Sequence, residues 1–134
     1  MADLSITAAK VAAAKVFEKV TGPAGEVITA GQPVRYDTTT GRFVKADATS
    51  AANGRVVGIA LDPANAAGMP ITVLTKGWLD LGDALGDLAY DADVFLSNTA
   101  GALADAAGTT SIVIGTVVPV WYGTTPDNLL RVNL

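Results

Sequence analysis

The chain contains neither cysteine nor histidine. Without cysteine it has no disulfide, no thiolate nucleophile and no cysteine-ligated metal site. Without histidine it lacks the side chain that most often serves as a general base or metal ligand near neutral pH. Because both absences remove common routes to catalysis, we expect a protein that is not an enzyme and that uses no cofactor and no metal.

Charged residues are also scarce, at 16% of the 134 residues, and they leave a net charge of −4. Nucleic-acid-binding proteins normally carry clustered Lys and Arg, and the sequence has no basic run, so we expect no nucleic-acid partner. Hydrophobic residues make up 50% of the chain, although Ala contributes much of this fraction. Such a composition supplies a core and favours association with a partner or with further copies.

Long apolar runs are missing as well. No segment approaches the roughly 20 apolar residues that a membrane-spanning helix needs, so we expect no membrane partner. The first residues, Met1, Ala2 and Asp3, lack the basic and apolar regions of a secretory signal. We therefore expect the protein to be made in the cytoplasm and to stay or assemble there.

What the sequence does contain is a succession of strand-forming segments separated by turns. Residues 37–41, DTTTG, have the Asp and Gly of a hairpin connection. Residues 56–61 are almost wholly apolar, which predicts a strand buried on both faces. About eight or nine short strands at intervals of roughly ten residues are typical of a small all-β barrel or sandwich. We expect one β domain over residues 25–134.

Three positions predict interruptions of these strands. Gly77 separates a strand at residues 71–75 from a strand fragment at residues 78–81. In the longest apolar segment, residues 111–121, Gly115 indicates a bulge or bend and Pro119 indicates a sheet edge or a break.

The N-terminal segment, residues 1–24, is ambiguous and is treated as a docking arm, with participation in the sheet as an open alternative. Residues 8–19 are rich in Ala and Lys, which favours a helix on propensity alone. Residues 15–20 also alternate as a strand does, and no continuous apolar stripe at helical spacing is present. A strand or extended arm is the favoured interpretation, with a helix as the alternative.

Candidate chemistry is sparse. Hard cations require several oxygen ligands, but the one cluster of carboxylates lacks the order of a calcium-binding loop, and Asp is common at turns. We interpret the cluster as turn residues on a solvated surface. The clustered aspartates are Asp80, Asp83, Asp87, Asp91 and Asp93.

None of the serines lies in a Gly-x-Ser-x-Gly elbow, the arrangement of a serine nucleophile in many hydrolases. Spacing alone nevertheless leaves a Ser–Lys catalytic pair open.

Six short segments share their order and spacing with a known family. They are MADLxITAA at residues 1–9, TAGQPV at 29–34, YD at 36–37, VVGIAL at 56–61, VLTxG at 73–77 and LSxTAG at 96–101. In these segments the chain resembles small head proteins of tailed bacteriophages, and it is similar to the head-decoration proteins of lambda-like phages. The Ala- and Lys-rich residues 10–19 depart from the pattern of that family.

The resemblance implies a β-tulip-like fold and a structural role as a capsid decoration (cement) protein. Such proteins bind the outer surface of the expanded capsid, commonly as trimers, and bridge neighbouring major capsid proteins. The implied location is the virion surface, after synthesis in the host cytoplasm. The alternative is another virion component, such as a head-fibre base or a tail-associated β module.

Docking of this kind requires exposed apolar side chains and a segment that can pair with an open strand edge. Residues 4–20 are the candidate docking segment. The two Trp residues are assigned to the core, an interface or a ligand site, in that order of preference. The candidate capsid or oligomer interface residues are Leu4, Ile6, Val16, Phe17, Val20, Trp78, Tyr90, Trp121 and Tyr122.

Overall fold

A computed structural model of the protein describes residues 3–134, except for the side chains of Tyr122 and Thr125. The strands of this part of the chain form one curled antiparallel sheet, and the prediction of a small all-β fold is confirmed. Two short 3-10 helices, Ala8–Lys10 and Gly82–Leu85, accompany the sheet. The strands are β1 (Ala12–Pro23), β2 (Pro33–Tyr36), β3 (Phe43–Lys45), β4 (Gly58–Ala60), β5 (Pro70–Asp80), β6 (Asp93–Leu96), β7 (Leu103–Ala104), β8 (Val113–Tyr122) and β9 (Thr125–Asn133).

The sheet is organised around β5. Its strand order is β3-β2-β4-β5-β9-β8-β6-β7, and β1 pairs with β5 outside this path. β1 follows β5 over its whole length, from the pair Ala12–Asp80 to the pair Pro23–Pro70. The opposite edge of β5 is shared, because β4 pairs with its first half and β9 with its second half. Three strands therefore form backbone hydrogen bonds with β5.

The prediction of two strands separated at Gly77 is wrong, because β5 runs through this residue. Gly77 has a φ of +153°, and a Cβ built on it would overlap the carbonyl oxygen of Lys15 on β1. The glycine marks a close approach of two backbones and does not end the strand. The expectation that all strands are short is likewise wrong for β1, β5, β8 and β9, which have 12, 11, 10 and 9 residues.

Residues 15–20, for which the sequence favoured a strand and left a helix as the alternative, lie in strand β1. Its Ala and Lys residues favour a helix only locally, whereas the long edge of β5 offers it a continuous row of hydrogen-bond partners. The pairing is irregular: register shifts leave Ala14 and Phe17 of β1 and Thr75 of β5 without directly opposite partners. The Thr75 hydroxyl donates to the carbonyl oxygen of Glu18 at 3.1 Å, which supports the strand at one of these irregularities.

Two groups of buried side chains lie against the sheet. The larger group is enclosed by β5, β9, β8, β6 and β7, and includes Leu79, Leu96, Ile114 and Leu130. The smaller group lies under β2, β3, β4 and the first half of β5, and includes Phe43. Burial of each such large apolar side chain contributes about 1.5–3 kcal/mol to the stability of the fold.

Local signals in the sequence agree with the structure at several points. The carboxylate of Asp37 accepts the backbone N–H groups of Thr39 and Thr40, as predicted for the hairpin at residues 37–41. Gly115 lies beside a register irregularity between β6 and β8. Pro119 occurs where β8 pairs with β9 and has left β6. The apolar residues 56–61 contribute only Gly58–Ala60 as a strand, and all three of these residues are buried.

We expect the Gly77→Ala variant to separate β1 from β5. The methyl group would overlap the Lys15 carbonyl oxygen, and overpacking of this kind costs about 1–3 kcal/mol. Urea denaturation would show the loss in the free energy of unfolding, and hydrogen exchange would show faster exchange of the β1 amides. Gly86→Ala is the matched control, because Gly86 has a φ of −62° and is exposed. Equal unfolding midpoints for the two variants would contradict the proposed close approach.

The hairpin at residues 37–41 predicts a specific pH dependence. The two backbone hydrogen bonds, first from Thr39 and then from Thr40, hold the pKa of the Asp37 carboxyl below its ordinary value. A carboxyl whose pKa is lowered by folding stabilises the fold above its unfolded pKa and loses this effect as the pH falls through its folded pKa. The difference in free energy of unfolding between the protein and an Asp37→Ala variant should therefore shrink below about pH 4. Urea denaturation at a series of pH values from neutral to acidic measures this difference in the free energy of unfolding. Thr38→Ala serves as the control, and a constant difference for Asp37→Ala would refute the prediction.

Candidate functional site

The clustered aspartates do not converge on a metal site in the part of the chain that the structure describes, where no group of three or more metal-ligating side chains is found. Asp80 instead accepts the backbone N–H of Gly82 at 2.8 Å, a turn contact. Asp83 forms an exposed ion pair with Lys10 at 3.5 Å. These carboxylates lie at turns and on the surface of the protein.

The beginning of the described chain packs against the domain. The backbone N–H of Leu4 donates to the carbonyl oxygen of Leu103 at 2.8 Å, and Asp3 forms an isolated bridge with Ala104. Leu4 and Ile6 are both half-buried and pack against the larger core. These two candidate interface residues therefore have neighbours within their own chain.

The free edge of β1 is the most open feature of the sheet. β1 has β5 as its one strand partner among the described residues, so its other edge faces outward. Every residue from 12 to 19 is exposed. Val16 is 46% exposed and Phe17, at a register irregularity, is 71% exposed. Val20 differs from them because it packs partly against the smaller core.

Trp78 of β5 lies next to this edge strand. It is half-buried, and the Nζ of Lys15 lies over its ring, 4.9 Å from the ring centroid. A cation in this position is attracted by the negative face of the ring. Phe17, Lys76 and Arg131 join Trp78 in lining a groove of about 210 Å³ between β1, β5 and β9. The registers Lys15–Trp78 and Trp78–Arg131 place these three side chains on one face of the sheet.

The remaining candidate residues lie elsewhere. Tyr90 is 50% exposed in the turn before β6. Trp121 is 62% exposed near the tip of the β8–β9 hairpin, where the two strands pair only with each other. The side chain of Tyr122 is outside the described residues. The structure therefore brings Phe17 and Trp78 together in one groove, places Val16 beside Phe17 in β1, and leaves the other aromatic candidates apart from them.

Sequence reasoning missed the cations around Trp78. Lys15, Lys76 and Arg131 are far apart in the chain and form no basic run. Their proximity follows from the pairing of β1 and β9 with opposite edges of β5. Alternation along residues 15–20 was the one sequence signal that pointed to this strand, and it carried no information about the partner strand.

Comparison with known proteins assigns no role to the surface around β1 and Trp78. No protein-family model matches the chain, and a search of curated proteins finds no significant match. Within residues 3–134, no helix is long and apolar enough to cross a membrane.

The exposure of Phe17 predicts that its side chain contributes little to folding. Phe17→Ala should change the free energy of unfolding by about 0.5 kcal/mol or less, as surface substitutions usually do. Leu79→Ala, at a fully buried position in the larger core, should cost about 2–5 kcal/mol. Urea denaturation compares them directly. If the two variants lost similar stability, Phe17 would be a core residue and not an available contact.

Proposed function

We propose that the protein is a capsid decoration (cement) protein of a tailed bacteriophage, a structural component of the virion without catalytic activity. It binds the outer surface of the expanded capsid and bridges neighbouring major capsid proteins, as trimers. The six segments that resemble small phage head proteins support this role, and so does the compact all-β fold.

The observation that carries the proposal is the free edge of β1. An exposed strand edge presents unpaired backbone N–H and C=O groups, to which an extended segment of another protein can add as a further strand. Residues 12–19 offer such an edge along most of β1. Val16 and Phe17 add exposed apolar surface at the same place. In this arrangement the main chain provides affinity and the two apolar side chains provide specificity.

Stabilisation of the capsid follows from preferential binding. Packed DNA pushes the shell outward, and a protein that contacts two capsid subunits only in the expanded lattice favours that lattice by mass action. A ligand at a free concentration about 100 times its Kd stabilises the state it binds by about 2.7 kcal/mol per site. Many copies on one shell multiply this effect.

The proposal predicts saturable binding to expanded phage heads. Purified protein would be mixed with expanded and unexpanded heads and the heads pelleted, followed by a measurement of DNA release on heating. We expect binding to expanded heads only, with release at a higher temperature. Phe17→Asp should weaken this binding at least about tenfold, because a buried aromatic anchor commonly contributes 2 kcal/mol or more.

Val27→Asp is the matched control, since Val27 is also exposed, at 56%, but lies outside β1. If the two variants bound expanded heads equally well, capsid attachment would not depend on the β1 edge. Absence of binding to heads, with the protein located at the tail or at a head fibre, would replace the decoration role by the alternative virion component.

A further inference from the structure

The groove beside Trp78 is rich in positive charge. We call it the cationic trough and define it by Lys15, Phe17, Lys76, Trp78 and Arg131. No carboxylate of the described residues forms a salt bridge with its three cations. The protein as a whole has a net charge of −4, so this concentration of basic side chains around two aromatic rings is a local feature.

The acidic side chains near the cationic trough are engaged within the chain. The carboxylate of Glu18 accepts the Thr75 hydroxyl at 2.9 Å. Asp80 accepts the backbone N–H of Gly82. Since no described carboxylate forms a salt bridge with these cations, the trough is complementary to an acidic surface that another molecule supplies.

The same chain carries such a surface at a different place. A second groove, of about 480 Å³, lies between the beginning of the described chain and the 3-10 helix Gly82–Leu85. We call it the acidic groove and define it by Asp3, Asp83, Asp87 and Asp105 with Leu88. The side chain of Asp83 is 99% exposed although it pairs with Lys10 at 3.5 Å, and Asp87 is exposed as well.

We propose that copies of this protein associate head to tail, with the cationic trough of one copy contacting the exposed carboxylates Asp83 and Asp87 at the acidic groove of the next. Both surfaces combine charge with apolar walls, Phe17 and Trp78 in the trough and Leu88 in the acidic groove. They share no lining residue, so one copy can use both at once. A contact between two different surfaces is heterologous, and it closes into a ring or continues as a chain.

The electrostatic part of this contact makes association dependent on salt. The screening length is about 10 Å at 0.1 M ionic strength and about 3 Å at 1 M. Analytical ultracentrifugation of the protein should therefore show concentration-dependent association at low ionic strength, with an apparent Kd that rises at least about tenfold as the salt approaches 1 M. A protein that sediments as a monomer under all these conditions would refute the proposal.

Charge reversal tests which surfaces meet. The trough variant Lys76→Glu with Arg131→Glu and the groove variant Asp83→Lys with Asp87→Lys change exposed side chains. Each variant alone places like charges at the contact and should lose self-association. An equimolar mixture of the two should associate again, because each altered surface then meets a complementary one.

A chain that carries all four replacements should also self-associate, since both of its surfaces are reversed and the net charge remains −4. The control is Arg42→Glu with Arg55→Glu, which removes as much positive charge at exposed positions outside the trough. Circular dichroism would establish that each variant is folded. If a variant fails to fold, the salt dependence of self-association by the unaltered protein tests the proposal in its place.

Loss of association in the control to the same extent would show an effect of net charge and overturn the specific contact. Failure of the mixture and of the fourfold variant to associate would overturn it too. The inference does not depend on the proposed capsid role, because the experiments use the purified protein without heads. Association in solution without head binding would leave the inference intact and remove only the decoration role.

Discussion

The close pairing of β1 with β5 is the constraint on which the rest of the structure depends. β5 forms hydrogen bonds with β1 along one edge and with β4 and β9 along the other. Gly77 permits this arrangement because the β1 backbone passes where a side chain would begin. The same pairing holds the Ala- and Lys-rich residues in an extended conformation against their local preference for a helix, because the interstrand hydrogen bonds along β5 outweigh a weak propensity.

This constraint also determines what the surface offers to other molecules. β5 pairs with β1 along one edge and with β4 and β9 along the other. Among the described strands β1 pairs with β5 alone, so the second edge of β1 is long and faces outward. Many proteins protect such edges with charge or irregular pairing, and β1 has both, in Lys15 and Lys19 and in its register shifts. Phe17, however, projects from one of the irregularities with most of its surface in water. The charge and the irregular pairing of this edge oppose indiscriminate aggregation.

Two different kinds of contact thus start from the same region. The edge of β1 offers backbone groups and apolar side chains, and the face beside it offers cations around Trp78. Contacts of the first kind depend little on salt, whereas contacts of the second kind are screened by it. Phe17 belongs to both surfaces, so the two contacts share one residue and are not independent of each other.

The sequence by itself determined the class of the fold, its turns and the absence of the usual catalytic side chains. These properties depend on local features, such as the hydrogen bonds of Asp37 within its own hairpin and the alternation of apolar residues. Only the tertiary structure decided that residues 71–80 are one strand, that residues 15–20 are extended, and that Lys15, Trp78 and Arg131 are neighbours. Strand partners and register are set by contacts between distant parts of the chain, and no short segment of sequence contains that information.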